Sequence, residues 1–181
     1  RWHEVCLLSK TYKSDIIILN EVGKVEIGFV ETCFAAHNVY YQAGENSHGG
    51  VLIMIRNNLR AARVKFNTPN VCAIDLMIGQ PLRIVAVYAP ASKTWNWDSL
   101  SPLISRNCVF IGDFNIDLEK DGGKADELYM WMDNHALGPV LPDSSTSLRS
   151  DRTIDFAIAT ALDLALQTHK GSTTSDHKPL V

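Results

Sequence analysis

Three runs in the first half of the chain, VLIMIR (51–56), VCAIDLMI (71–78) and LRIVAVY (82–88), are short, rich in β-branched residues and carry one charge each. Runs of this length and composition, closed off by breaks such as RNNL and NTPN, read as buried strands rather than helices. IIIL (16–19), NVYYQ (38–42), ARVKFN (62–67), CVFIG (108–112) and TIDFAIA (153–159) extend the series. The final HKPLV is a further strand candidate, and LDLALQTH an additional one. Helices are few. Residues 2–12 repeat Val5, Leu8 and Tyr12 at helical spacing, 97–105 reads as a helix after a polar, Trp-containing stretch, and KADELYMWMDNHAL (124–137) puts Ala125, Leu128, Met132 and Ala136 on one face. Many strands and few helices predict an α+β protein of stacked sheets flanked by helices.

With 181 residues, no repeat, no low-complexity tract and no linker, the chain reads as one domain, residues 1–181. A net charge of −3 provides no global basic field, so a nucleic-acid substrate would have to be met by local basic patches. No apolar run approaches the roughly 20 residues of a membrane helix, so no membrane partner is expected. Cys6, Cys33, Cys72 and Cys108 are widely spaced without a CxxC pair, which reads as free thiols rather than a zinc site or a disulfide framework. The chain opens at Arg1 and stops at Val181 inside an apolar run, and is read as a piece of a longer chain.

Polar residues collect where the strands end. IIIL runs out at Glu21, LRIVAV at Tyr88, CVFIG at Asp113 with Asn115 two positions on, and RTI at Asp155; Ser175, Asp176 and His177 lead into HKPLV. Any one of these is explained by a strand needing a polar end or a turn. Together they form an inventory suited to metal-assisted hydrolysis, because sheet packing gathers strand ends on one rim. Side chains two apart on an extended segment point the same way, so Asp113 and Asn115 are expected to face one pocket.

The segments ILNE (18–21), VYAP (87–90), GDFN (112–115), TIDF (153–156) and SDH (175–177) follow the order of the endonuclease/exonuclease/phosphatase superfamily, which the chain resembles over nearly its whole length. The resemblance implies a four-layered α/β/β/α sandwich of the deoxyribonuclease/apurinic-endonuclease type. Within the superfamily the chain is most similar to the endonuclease domain of non-LTR (LINE-like) retrotransposons, through HGGVLIMIRNNL (48–59) and DSSTSLRSDRTIDF (143–156). The family's first strand, with an Asn that helps hold the metal, has no counterpart here; the chain begins in the following helix, and that strand is expected upstream.

Carried over position by position, the resemblance gives Glu21 the role of a divalent-metal ligand, with Asp176 beside the metal region. Asp113 orients or deprotonates the attacking water and Asn115 fixes its geometry. His177 contacts the scissile phosphate with Asp155 as its carboxylate partner, and Tyr88 hydrogen-bonds the phosphate or leaving oxygen. Ser175 supports the loop, Thr146 matches a phosphate-contacting Thr, and Arg149 and Arg152 flank the rim as phosphate contacts. The implied cofactor is Mg²⁺ (or Mn²⁺), a hard cation satisfied by oxygen ligands and water. The implied activity is an endonuclease that nicks double-stranded DNA in the nucleus, leaving a 3′-hydroxyl that primes a reverse transcriptase domain of the same polyprotein. Alternatives are a small-substrate phosphatase, an apurinic repair endonuclease (disfavoured by Ala91 and Ser92, where such enzymes carry Asn after Tyr-x-Pro) and a catalytically dead binding module.

Other features divide between function and plain structure. Trp95 and Trp97 are candidates for base stacking or for packing on a sheet edge. Arg56, Arg60, Arg63 and Lys65 are either DNA-phosphate contacts or a solvated strand and turn. His48 reads as a loop residue, and His3, His37, His135 and His169 as surface or capping residues.

Overall fold

A computed structural model describes residues 1–181, and its backbone falls into two compact units, Arg1–Tyr88 and Ala89–Val181. In the first unit helix α1 (Trp2–Tyr12) leads into β1 (Ile16–Asn20), α2 (Ile27–Cys33), β2 (His37–Gln42) and β3 (Val51–Arg56). β1, β3 and β2 form an antiparallel sheet in that order. A second antiparallel ladder runs from β4 (Ala61–Arg63) through β5 (Val71–Ile78) to β6 (Gln80–Tyr88).

β3 explains why VLIMIR has no alternation. Leu52 and Met54 pack with Val30 and Phe34 under α2, joined by Trp2, Val5, Ile17 and Leu19. The same strand contacts β5 and β6, so both of its faces are covered and Val51–Ile55 are 0% exposed. A strand sandwiched this way is selected for apolar residues at every position.

The second unit holds a 3₁₀ helix (Trp97–Leu103), β7 (Cys108–Asp113), α3 (Gly123–Asn134), β8 (Gly138–Val140) and β9 (Asp155–Ala159). β9 lies between β7 and β8, antiparallel to both. Its core is aromatic. Phe114 stacks on Phe156 with centroids 4.5 Å apart, and Phe110 meets Trp131 edge-on at 5.4 Å. Leu100 and Leu103 of the 3₁₀ helix and Leu128 and Met132 of α3 complete it, all essentially buried.

Several boundaries differ from the expectation. Pro102 lies inside 97–103, and the segment is 3₁₀ rather than α, capped by Asn96 accepting from the Asp98 N–H. α3 stops at Asn134, where the His135 and Leu137 N–H groups return to the Met132 carbonyl and Ala136 adopts φ +53°, so Ala136 leaves the buried face. β4 ends at Arg63. The closing HKPLV and LDLALQTH form only isolated bridges, Ser147–His177, Thr168–Leu180 and Pro142–Leu166. α2 and β8 had no counterpart in the sequence reading. The four cysteines are free thiols, and no helix is long and apolar enough to cross a membrane.

Candidate active site

The β7–β9 register sets Asp113 directly opposite Asp155. Paired positions in an antiparallel ladder hold their Cβ atoms about 4.5–5.5 Å apart, where two carboxylates repel. A cation is what such a pair requires, and His177 provides one. Its Nδ1 lies 2.8 Å from Asp155 Oδ2, and ligand atoms of Asp113, Asp155 and His177 all fall within 4.8 Å of one another. The hydrogen bond to Asp155 is the main cause raising the His177 pKa to about 9; burial opposes it, and the charges of Asp155, Asp113 and Asp176 add to it. With that pKa the imidazole carries its proton at neutral pH, Nδ1 donating to Asp155 Oδ2.

Asp113 and Asn115 do come together, but not as neighbours on an extended strand. The chain leaves the strand after Asp113, and Asn115 takes φ +51°. Asp113 Oδ1 then accepts the Asn115 backbone N–H at 2.9 Å, a side-chain-closed turn, while Asn115 Nδ2 donates to Asp113 Oδ2 (3.1 Å) and to the Ala89 carbonyl (2.9 Å). Gly112, at φ +151°, is the residue whose backbone makes the bend accessible. Asp113 is 3% exposed, an oriented acceptor rather than a surface charge.

Thr146 corrects the sequence reading. It is 0% exposed, and its Oγ1 accepts the Ile154 N–H at 3.0 Å and the Asp155 N–H at 3.1 Å, so it does not reach a phosphate. Its carbonyl accepts the Lys178 N–H at 2.8 Å. One buried Thr thus fixes the strand start that carries Asp155 and the segment that carries His177. Ser175 Oγ accepts the His177 N–H at 3.1 Å, which supports the loop.

The two arginines are engaged by acids. Arg152, expected as a phosphate contact, pairs with Asp121 in a partly buried ion pair. Arg149 lies 3.0 Å from Asp176 while its side chain is 80% exposed, so it stays within reach of an external anion. Asp176 consequently faces Arg149 and is not part of the Asp113–Asp155–His177 cluster. Sequence reasoning missed Asp117. It is 3% exposed and accepts the Glu119 and Lys120 N–H groups through Oδ1 and the Thr153 N–H through Oδ2, tying residues 117–121 to the loop before Asp155. Its place four residues after Asp113 in GDFNID was the available signal.

Glu21 and Tyr88 belong to the first unit. Glu21 follows β1, is exposed and holds φ +53°. Next to it, Asn20 Oδ1 is a buried acceptor that no protein group satisfies. A carboxylate and an amide oxygen in succession are the hard donors that Mg²⁺ or Mn²⁺ accepts, and a buried orphan acceptor is costly unless something fills it. Glu21 is a predicted metal ligand and Asn20 is not; Asp113, Asp155 and His177 are a second group of potential ligand atoms, all within 4.8 Å of one another. Tyr88, half-buried, ends β6. The open hollow lined by Glu31, His37, Asn38, Tyr40 and Asn57 contains none of the predicted site residues.

Several of the remaining candidates have partners within the protein. Trp97 is 6% exposed, stacked on Trp95 at 5.7 Å and tilted against Phe114 and Trp131. Arg56 pairs with Asp15 at 2.9 Å, and Arg63 donates to the Tyr41 carbonyl and Gln42 Oε1, so the basic run is partly spent inside its own unit. His135 caps α3 and lies 3.0 Å from Ser101 Oγ.

Among solved structures the chain is similar to the endonuclease domain of TRAS1, a telomere-specific non-LTR retrotransposon, at TM-score 0.79 and 18% identity over 98% of this chain and 88% of that one. An AP endonuclease from Archaeoglobus fulgidus gives 0.78 at 16% identity, covering 99% and 92% of the two chains. The 3'-5' exonuclease NExo from Neisseria meningitidis gives 0.77 at 16% identity, covering 99% and 93%. Likeness at such identities establishes the fold, an α+β fold of the apurinic-endonuclease type. Comparison with curated proteins returns no match. Residues 4–177 match one family over nearly the whole chain, and the protein belongs to the Endonuclease/Exonuclease/phosphatase family.

Proposed function

We propose that this protein is a divalent-metal-dependent endonuclease that nicks one strand of double-stranded DNA and leaves a 3′-hydroxyl. Members of its family are hydrolases acting on phosphodiester bonds. The observation that carries the reading is the constellation on the second unit: a buried Asp113 held by Asn115, opposite Asp155, with His177 Nδ1 2.8 Å from Asp155 and ligand atoms of Asp113, Asp155 and His177 within 4.8 Å of one another. The Asp113 carboxylate takes the proton of the attacking water. The His177 imidazolium, oriented by Asp155, supplies positive charge where a pentavalent phosphorus accumulates negative charge. Glu21, with the neighbouring unsatisfied Asn20 Oδ1, would hold the cation, and Tyr88 would donate to a phosphate or leaving oxygen. When bound, a divalent metal supplies Lewis-acid polarisation of the phosphate.

The retroelement assignment rests on HGGVLIMIRNNL and DSSTSLRSDRTIDF and is supported by the fold likeness to the TRAS1 domain. On that reading the chain is a single endonuclease domain that works in the nucleus beside a reverse transcriptase domain of the same polyprotein, and the 3′-hydroxyl it leaves is the primer. Nicking of supercoiled plasmid with Mg²⁺ tests the activity. Asp113→Asn and His177→Ala are each expected to slow it about 10²- to 10⁴-fold while remaining folded. Undiminished nicking in both variants overturns the roles, and release of inorganic phosphate from small phosphoesters without plasmid nicking overturns the endonuclease reading in favour of a phosphatase.

A further inference from the structure

Asn70 has no role in the chemistry above, yet the backbone of the first unit converges on it. It lies between β4 and β5, is 2% exposed, and holds φ +64°, a left-handed conformation that Asn tolerates better than most residues. Its N–H donates to the Ala43 carbonyl at 3.1 Å and its carbonyl accepts the Tyr88 N–H at 3.0 Å. Its Oδ1 accepts the Gly50 N–H at 2.7 Å in a buried hydrogen bond.

From Gly50 the connection continues to Glu21. The Gly50 carbonyl accepts the Val22 N–H at 3.3 Å, and the Gly49 carbonyl accepts the Gly23 N–H at 2.8 Å. These two bonds fasten the turn directly after Glu21. Gly49 passes so close to Asn70 that a Cβ there would lie 2.5 Å from Oδ1, and Gly50 holds φ +99°. A single buried amide therefore sets the turn that presents Glu21 and, through its own carbonyl, the strand end that presents Tyr88.

We propose that Asn70 is a positioning residue for the reaction, holding Glu21 and Tyr88 in register. The inference rests on the reading that Glu21 holds a divalent cation. Two properties of Asn70 are used, a tolerated left-handed backbone and a side-chain acceptor, and substitution separates them. Asn70→Gly keeps the backbone and removes the acceptor; Asn70→Asp keeps both.

The test is calorimetric titration of Mn²⁺ into the full chain, with thermal melting alongside. Asn70→Gly is expected to melt cooperatively and to bind Mn²⁺ about tenfold more weakly, the range seen when residues supporting a metal ligand are removed. Asn70→Asp is expected to restore affinity to within about twofold of the parent. A purely structural Asn70 would change the melt and leave Mn²⁺ affinity unmoved. Glu21→Gln separates the two claims. Weakened binding in Glu21→Gln with parental binding in Asn70→Gly overturns the inference alone, as does Asn70→Asp binding as weakly as Asn70→Gly. Parental binding in both overturns the Glu21 assignment and the inference with it.

Discussion

At the scale of single residues, the pH behaviour follows from the proton that His177 keeps through its hydrogen bond to Asp155. Its folded-state pKa, about 9, lies above the ordinary 6.5, so the stabilisation it brings is fully present below about pH 6.5 and is lost as pH rises through 9. Unfolding free energies measured from pH 6 to 10 should fall across that window in the parent and stay nearly flat in His177→Ala. Asp155→Asn removes the main cause of the shift, and an NMR titration of the imidazole should then report a lower pKa. Thr146 gives a second test. Thr146→Val strands two buried N–H groups, those of Ile154 and Asp155, and should cost about 1–3 kcal/mol in denaturant unfolding, with Thr146→Ser near the parent. Asp113 and Asp155 were legible because each stands at a strand end, and Asn115 and His177 because GDFN and SDH occur in a recognisable order. The inward turn of Thr146 and the pairing of Arg152 with Asp121 were not legible, since a hydroxyl or a guanidinium reads the same in a sequence whether it meets solvent or backbone.

At the scale of elements, the strands covered on both faces were the easiest to find. β3 is apolar because neither face meets water, and β5 is buried from Val71 to Ile74 although Met77 and Ile78 at its far end are exposed; the break RNNL closes β3 and NTPN precedes β5. Short amphipathic elements were lost for the opposite reason. α2 spans seven residues with a single buried one, Val30, and includes Gly28, so neither periodicity nor propensity marks it. The closing segment reads as a strand from its composition, but it meets its partners one bridge at a time, at Ser147 and Thr168. The element whose loss should matter most is β9, since Phe156 is 0% exposed and stacks on Phe114 immediately beside Asp155. Phe156→Ala is expected to cost about 3–5 kcal/mol in equilibrium unfolding, and to weaken nicking by loosening the strand that carries Asp155.

Across the whole molecule, the net charge of −3 means that the proposed DNA substrate would have to be met by local positive groups and the proposed cation. The exposed Arg149 is one such group, whereas Arg56 and Arg63 are occupied within the first unit. A cation that binds only the folded chain raises its melting temperature by mass action. Millimolar Mg²⁺ should therefore lift the melting temperature of the chelator-treated parent, leave Glu21→Gln almost unmoved, and restore nicking that the chelator abolished. The loop arrangement also matters for engineering. Asp117 accepts from Thr153, Lys120 reaches Asp151, and Asp121 pairs with Arg152, so the strand-end turn after GDFN and the stretch leading to TIDF are stapled side by side. Anyone retargeting this protein by loop exchange should transplant both as one cassette, because a graft of either alone would leave a carboxylate facing a stranger.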